Sequence, residues 1–211
     1  MVVKSFFLFL LGSVVAFAGF DIEPVSVTHN GKVVEIKRES VESCKEFATA
    51  PQFVWEQREL PAHCKKSFVT YAGKIQPMKI EGVETVGELE VLEFLRTKNK
   101  DALLVDARGL DWLEHGTIPG STHIFHGSLD NIPLLEEFYY EALAKVGVRK
   151  DAHGYDMSEA KDLVVFCNGA WCPQSTWFIQ KLIAIGYPKQ KLRWYRGGIF
   201  AWQSMGLTIV D

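Results

Sequence analysis

Leu163-Val164-Val165-Phe166-Cys167-Asn168-Gly169-Ala170-Trp171-Cys172-Pro173-Gln174-Ser175 is the stretch on which the reading of this chain turns. Four consecutive apolar residues with no polar alternation describe a strand buried on both faces, which is a feature of parallel sheets covered by helices. The run stops at a cysteine. Gly169 then permits a tight loop, and Pro173 suits the first turn of a helix because its missing N–H has no intrahelical partner there. Strand, loop and helix in that order place Cys167 beyond the carboxyl end of a strand, where ligands of open parallel sheets bind. Backbone N–H groups and the positive end of a helix dipole face a thiol so placed. Both favour the thiolate, the reactive form of cysteine.

The sequence on either side repeats the same grammar. Upstream, Val86 to Thr97 has helical spacing with Leu89, Leu92, Phe94 and Leu95 as its buried side, and Ala102-Leu103-Leu104-Val105 is a second all-apolar strand, closed by Asp106. Short strands are expected at Met78–Ile80 and His123–Phe125, and an amphipathic helix over Leu134–Val146 buries Leu135, Phe138, Leu143 and Val146. Downstream follow a helix over Thr176–Ile185, a strand over Lys191–Tyr195 and a closing helix over Ile199–Ser204. Alternating strands and helices make residues 78–211 one α/β domain built on a parallel sheet.

Residues 19–77 read differently. Pro24–Thr28 and Lys32–Ile36 alternate apolar with polar around Asn30-Gly31, the pattern of a β-hairpin. Ser40–Ala48 reads as a short helix carrying Cys44, and Cys64 lies in an aperiodic, proline-containing stretch. Before these, Lys4, an apolar run from Ser5 to Phe17, and Ala16-Phe17-Ala18 make up the three parts of a secretory signal peptide over residues 1–18. The apolar run falls short of the ~20 residues a membrane span needs, so no stable span is expected after cleavage. Export to a periplasmic or extracellular space would let disulfides persist. Four cysteines allow three pairings, of which Cys44 with Cys64 is the natural one; two unpaired thiols are the alternative.

Composition excludes some roles. The chain has 211 residues, 47% hydrophobic, with a formal charge of -3 and no Lys/Arg run, so a nucleic-acid partner is not expected. His115, His123 and His126 have no Cys or carboxylate at ligand spacing beside them, so no metal is expected. Asp106 and Arg108 read as an ion pair tying loop ends. Cys172 has three open readings: a resolving thiol, a disulfide partner, or a residue that packs the loop. Trp171 either walls a pocket or packs the loop.

Three motifs together carry a resemblance. Leu104-Val105-Asp106-Ala107-Arg108 followed by His115-Gly116-Thr117-Ile118-Pro119-Gly120-Ser121-Thr122-His123-Ile124, then Cys167 after its strand, then Tyr195-Arg196-Gly197-Gly198-Ile199-Phe200-Ala201-Trp202 resemble, in order and spacing, the signatures of rhodanese-like domains. The resemblance covers roughly residues 78–211. It implies a five-stranded parallel sheet with helices on both faces, and a sulfurtransferase that carries sulfur as a persulfide on Cys167 with no cofactor. Asn168, Gly169, Ala170, Trp171 and Cys172 would form the substrate loop, with Asp106, Arg108, Gly197 and Gly198 structural beside it. Partners would be a small sulfur-containing substrate or a persulfide-carrying protein. One departure stands out. The family loop carries one or two arginines, whereas Asn168 to Gln174 has no basic residue, which disfavours a dianionic donor such as thiosulfate. Two other readings compete: a thiol-redox protein using Cys167 with Cys172, and a non-catalytic binding module of the same shape.

Overall fold

The strands that bear no polar residue inside them form the middle of the molecule. The computed structural model describes residues 74–97 and 99–210, together with the backbone of two N-terminal strands. The proposed signal peptide, the Ser40–Ala48 helix, Cys44 and Cys64 lie outside the described residues. The two N-terminal strands, β1 (Val25–His29) and β2 (Lys32–Ile36), pair antiparallel with His29 opposite Lys32, the register a two-residue Asn-Gly connection dictates.

Five parallel strands follow: β3 (Glu84–Val86), β4 (Ala102–Asp106), β5 (Ser121–His123), β8 (Asp162–Phe166) and β9 (Leu192–Tyr195), in the spatial order β3-β9-β8-β4-β5. Between β5 and β8 the chain makes a small antiparallel ribbon of β6 (Arg149–Asp151) and β7 (Gly154–Asp156). Strand alternation sends successive residues to opposite faces. Val105, Leu163, Val165, Leu192 and Trp194 meet α2 (Glu136–Lys145) and α3 (Gln174–Ala184) through Tyr139, Leu143, Phe178, Ile179 and Leu182. Leu104, Val164, Phe166 and Tyr195 meet α1 (Glu88–Thr97) and α4 (Gly198–Ser204) through Val91, Ile199 and Trp202. Each fully buried Leu, Ile or Phe in these layers contributes about 1.5–3 kcal/mol. The expected sheet with helices on both faces is what forms.

Several local expectations are corrected. The first sheet strand is Glu84–Val86, while Ile80 makes only an isolated bridge to Val83. The edge strand is Ser121–His123, two residues earlier than expected. Leu89 is 76% exposed and Phe138 56% exposed; Val91 and Tyr139 hold the buried places on their helices. Both helices carry more apolar side chains than one face accommodates, and docking on the sheet decides which are covered.

Because β8 is the middle strand and β4 lies beside it with Asp106 opposite Phe166, the two strand ends marked in the sequence open at the same point. Cys167 is the residue next after β8.

Candidate active site

The chain leaves β8 at Phe166 and turns at once. The N–H of Cys172 donates to the Gly169 carbonyl (2.9 Å), closing the loop, and α3 starts at Gln174. A second element completes it. The N–H groups of Ile199 and Phe200, at the start of α4, donate to the carbonyls of Cys167 (3.0 Å) and Asn168 (2.9 Å). That approach needs Gly198: its φ is +58°, and a Cβ there would lie 2.2 Å from the Cys167 oxygen. Gly197-Gly198 thus lies against the loop, as the sequence motif implied.

The Cys167 sulfur is buried among donors. The Ser175 hydroxyl lies 3.0 Å from Sγ, and backbone N–H groups of Ser175 and Gly169 face it. In its protonated form Cys167 donates to the Cys172 carbonyl (3.2 Å). Burial pushes the thiol up, but hydrogen bonds from Cys172, from the Ser175 hydroxyl and from those N–H groups outweigh it, so Cys167 titrates below an ordinary thiol. Cys172 moves the opposite way, held up by its hydrogen bond to Cys167 and by burial. It also lies 3.5 Å from Gln174 Oε1 and 4.0 Å from Asn168 Nδ2. Of the two thiols, Cys167 is the one that ionises first, with Cys172 held neutral beside it.

Two contributors were hidden in the sequence. Trp194, read there as core, is buried and also donates its indole N–H to Ser175 Oγ (3.0 Å). Filling that acceptor position leaves the Ser175 proton for Cys167. Gln76 comes from before the first sheet strand; its N–H donates to the Ala170 carbonyl (2.8 Å), and its own carbonyl accepts from Arg196 Nη2 (2.8 Å) and Nε (3.2 Å). No spacing rule links Gln76 to residues 94 and 120 positions away.

Asp106 and Arg108 form the buried pair expected, bidentate at 2.9 and 2.7 Å. The guanidinium also donates to the carbonyls of Trp112 (3.2 Å) and Gly116 (2.8 Å), and Thr117 donates to Asp106 (2.7 Å). The pair therefore fixes the loop from Gly109 to Gly116. His123 and His126 meet the carbonyls of Arg108 (2.8 Å) and Ala107 (3.2 Å). Among the described residues no group of three or more His, Cys, Asp or Glu side chains is arranged to hold a metal.

The sequence leaves Trp171 as either a pocket wall or a residue that packs the loop, and its ring makes contacts of both kinds. Its ring covers Gly169 and meets Phe200 edge-on at 5.1 Å. It also walls a groove of about 260 Å3 that it shares with Trp112, Trp177, Asn168, Cys172, Pro173 and Gln174.

Residues 90–205, more than half of the chain, match the family model of the rhodanese-like domain. The chain belongs to the rhodanese-like family. Solved structures of similar fold include a thiosulfate sulfurtransferase from Pseudomonas aeruginosa (19% identity, covering 61% of this chain and 20% of that one, TM-score 0.41). A single-domain sulfurtransferase from Saccharomyces cerevisiae gives 17% identity, 61% and 94% coverage, and TM-score 0.42. The polysulfide-sulfur transferase homodimer of Wolinella succinogenes gives 22%, 62% and 80%, and 0.40. No curated protein matches the sequence. In this rhodanese-like chain the thiolate is supported by a hydroxyl, a second thiol and backbone N–H groups, with no guanidinium in the loop.

Proposed function

We propose that the chain moves a sulfane sulfur from a donor to a thiophilic acceptor through a persulfide on Cys167. The observation that carries this reading is the set of donors around a buried Sγ at the end of the central strand, which lowers the thiol and suits an anionic sulfur adduct. The Cys167 thiolate attacks the outer sulfur of the donor, an organic persulfide or thiosulfate. The donor's sulfur–sulfur bond breaks, and its remainder leaves with the electron pair as a thiolate or as sulfite. An acceptor, a thiolate or cyanide, then attacks the terminal sulfur of the persulfide, and Cys167 leaves as thiolate. The lowered pKa that makes Cys167 a stable thiolate also makes it a good leaving group in this second step. The chemistry needs no cofactor. Residues 1–18 fit an export signal, which makes donors and acceptors of an oxidising compartment the relevant partners.

Intact-mass spectrometry of the recovered protein tests these points together. The expected result is a chain lacking residues 1–18 that gains about 32 Da with a persulfide donor, on Cys167, and loses it to cyanide as thiocyanate. Cys167→Ser gains nothing. The contact between the two thiols favours one second reading, a dithiol redox protein. A Cys167–Cys172 disulfide with every donor, and no adduct even in Cys172→Ser, would replace sulfur transfer by that reading.

A further inference from the structure

The groove beside the thiols has an uncommon lining. Three indoles, two amide side chains, a proline and Cys172 face it, and none of these residues is basic or acidic in the ordinary sense. Cys172, the member that can ionise, is held in its neutral form by Cys167. Among the described residues, three basic side chains close to the groove are committed elsewhere. Arg108 is buried on Asp106, Lys181 Nζ pairs with Asp130 (2.6 Å) and the His126 carbonyl (3.0 Å), and Arg196 holds the Gln76 carbonyl. Behind Trp177 the ring of His126 lies 5.5 Å away, and burial lowers its pKa, which keeps it uncharged at neutral pH.

Each wall is held in place by a named contact. Trp171 rests on Phe200 and Gly169. Trp112 belongs to the loop that Arg108 fixes through the Trp112 carbonyl. Trp177 lies against His126 on α3 and is still 47% exposed. An indole left half in water at a groove mouth gives a partner a large apolar surface that needs little ordering, since each aromatic side chain can bury 150–250 Å2 on the general scale, about that of a small ring system.

We propose that this groove seats the body of the sulfur donor and selects an organic persulfide with a small, uncharged, apolar body over thiosulfate and over persulfides bearing carboxylates. The proposal rests on sulfur transfer through Cys167 and names the substrate class of that site. A dianion or carboxylate entering the groove would shed water with no cation among the described lining residues to receive it, whereas an aryl or alkyl body is taken up by the indoles. The volume, below the ~300–1,000 Å3 that houses drug-sized ligands, limits the occupant to roughly one ring or a short chain. Asn168 Nδ2 and Gln174 Oε1 already lie near Cys172 Sγ, so the polar end of the groove is the end at Cys172, whose side chain in turn contacts Cys167.

The test compares single-turnover loading of Cys167 by benzyl persulfide, glutathione persulfide and thiosulfate at neutral pH, read by intact mass. Benzyl persulfide is expected to load at least about tenfold faster than the other two. Trp177→Ala should collapse that preference by raising the benzyl persulfide concentration that half-saturates loading, and Trp177→Phe should restore most of it. Equal loading by all three donors, or a preference untouched by Trp177→Ala, overturns the proposal. A second measurement covers the case in which no donor loads Cys167, the outcome that removes sulfur transfer itself. Benzyl methyl sulfide, which cannot react, is titrated into Cys167→Ser protein and followed by tryptophan fluorescence. Saturable quenching that Trp177→Ala abolishes supports the groove independently of turnover; absence of saturation overturns it.

Discussion

Ser175 shows how one side chain sets the chemistry of another. Its hydroxyl has a donor at its oxygen, the Trp194 indole, and a sulfur 3.0 Å from it. With the indole N–H directed at the oxygen, the hydroxyl proton is free to stabilise the Cys167 thiolate. Ser175→Ala removes a hydrogen bond to a charged group, an effect of about 1.5–3 kcal/mol, which corresponds to a rise of roughly 1–2 pH units in the Cys167 titration. The sign follows from the thiolate being the reactive form: at fixed pH alkylation slows, and the whole profile moves to the alkaline side. The pH dependence of iodoacetamide reaction at Cys167 reads this directly, and Ser175→Thr should stay near wild type. The sequence shows Ser175 at the helix mouth but gives no sign of its partner, because Ser175 and Trp194 meet only once α3 packs on the face of the sheet to which β9 turns Trp194.

At the scale of elements, the start of α4 is coupled to the loop it touches. Gly198 and Gly206 have similar left-handed backbones, φ +58° and +69°, yet a Cβ at Gly206 meets nothing within 4 Å. Gly206→Ala therefore measures backbone strain alone, about 1–2 kcal/mol. Gly198→Ala adds overlap with the Cys167 carbonyl and the Gly169 nitrogen, and should lower the thermal midpoint by roughly 5 °C more than Gly206→Ala does. Calorimetry of the two variants separates the contributions. Elements were legible where composition left no choice: the apolar strands ending at Asp106 and Phe166 formed where expected. They were less so on α1 and α2, where Leu89 and Phe138 lost their places to Val91 and Tyr139. The β6–β7 ribbon escaped notice because Arg149-Lys150-Asp151 offers no apolar alternation to read.

Across the whole molecule, the ends of the domain meet over its working loop. Gln76 lies between the Ala170 carbonyl and its own contact to Arg196, so a segment ahead of the first sheet strand and a motif near the last helix hold one another. Arg196→Met in the full chain frees that segment. Loss of a charged hydrogen bond to a carbonyl should speed tryptic cleavage after Lys74 or Lys79 roughly tenfold, if cutting follows local opening. Limited proteolysis followed by mass spectrometry checks it. The strand order β3-β9-β8-β4-β5 is a property of this scale too. Periodicity predicts a parallel sheet and the three-motif resemblance implies five strands in it, but neither gives the order of those strands.

The bonds from Ile199 and Phe200 to the loop carbonyls also set a sequence in time. During synthesis Cys167 emerges some thirty residues before the groups that close its loop. Until α4 arrives, the carbonyls of Cys167 and Asn168 lack the N–H partners that hold the loop from behind. The rear support of the working loop is thus among the last parts of the domain to be made.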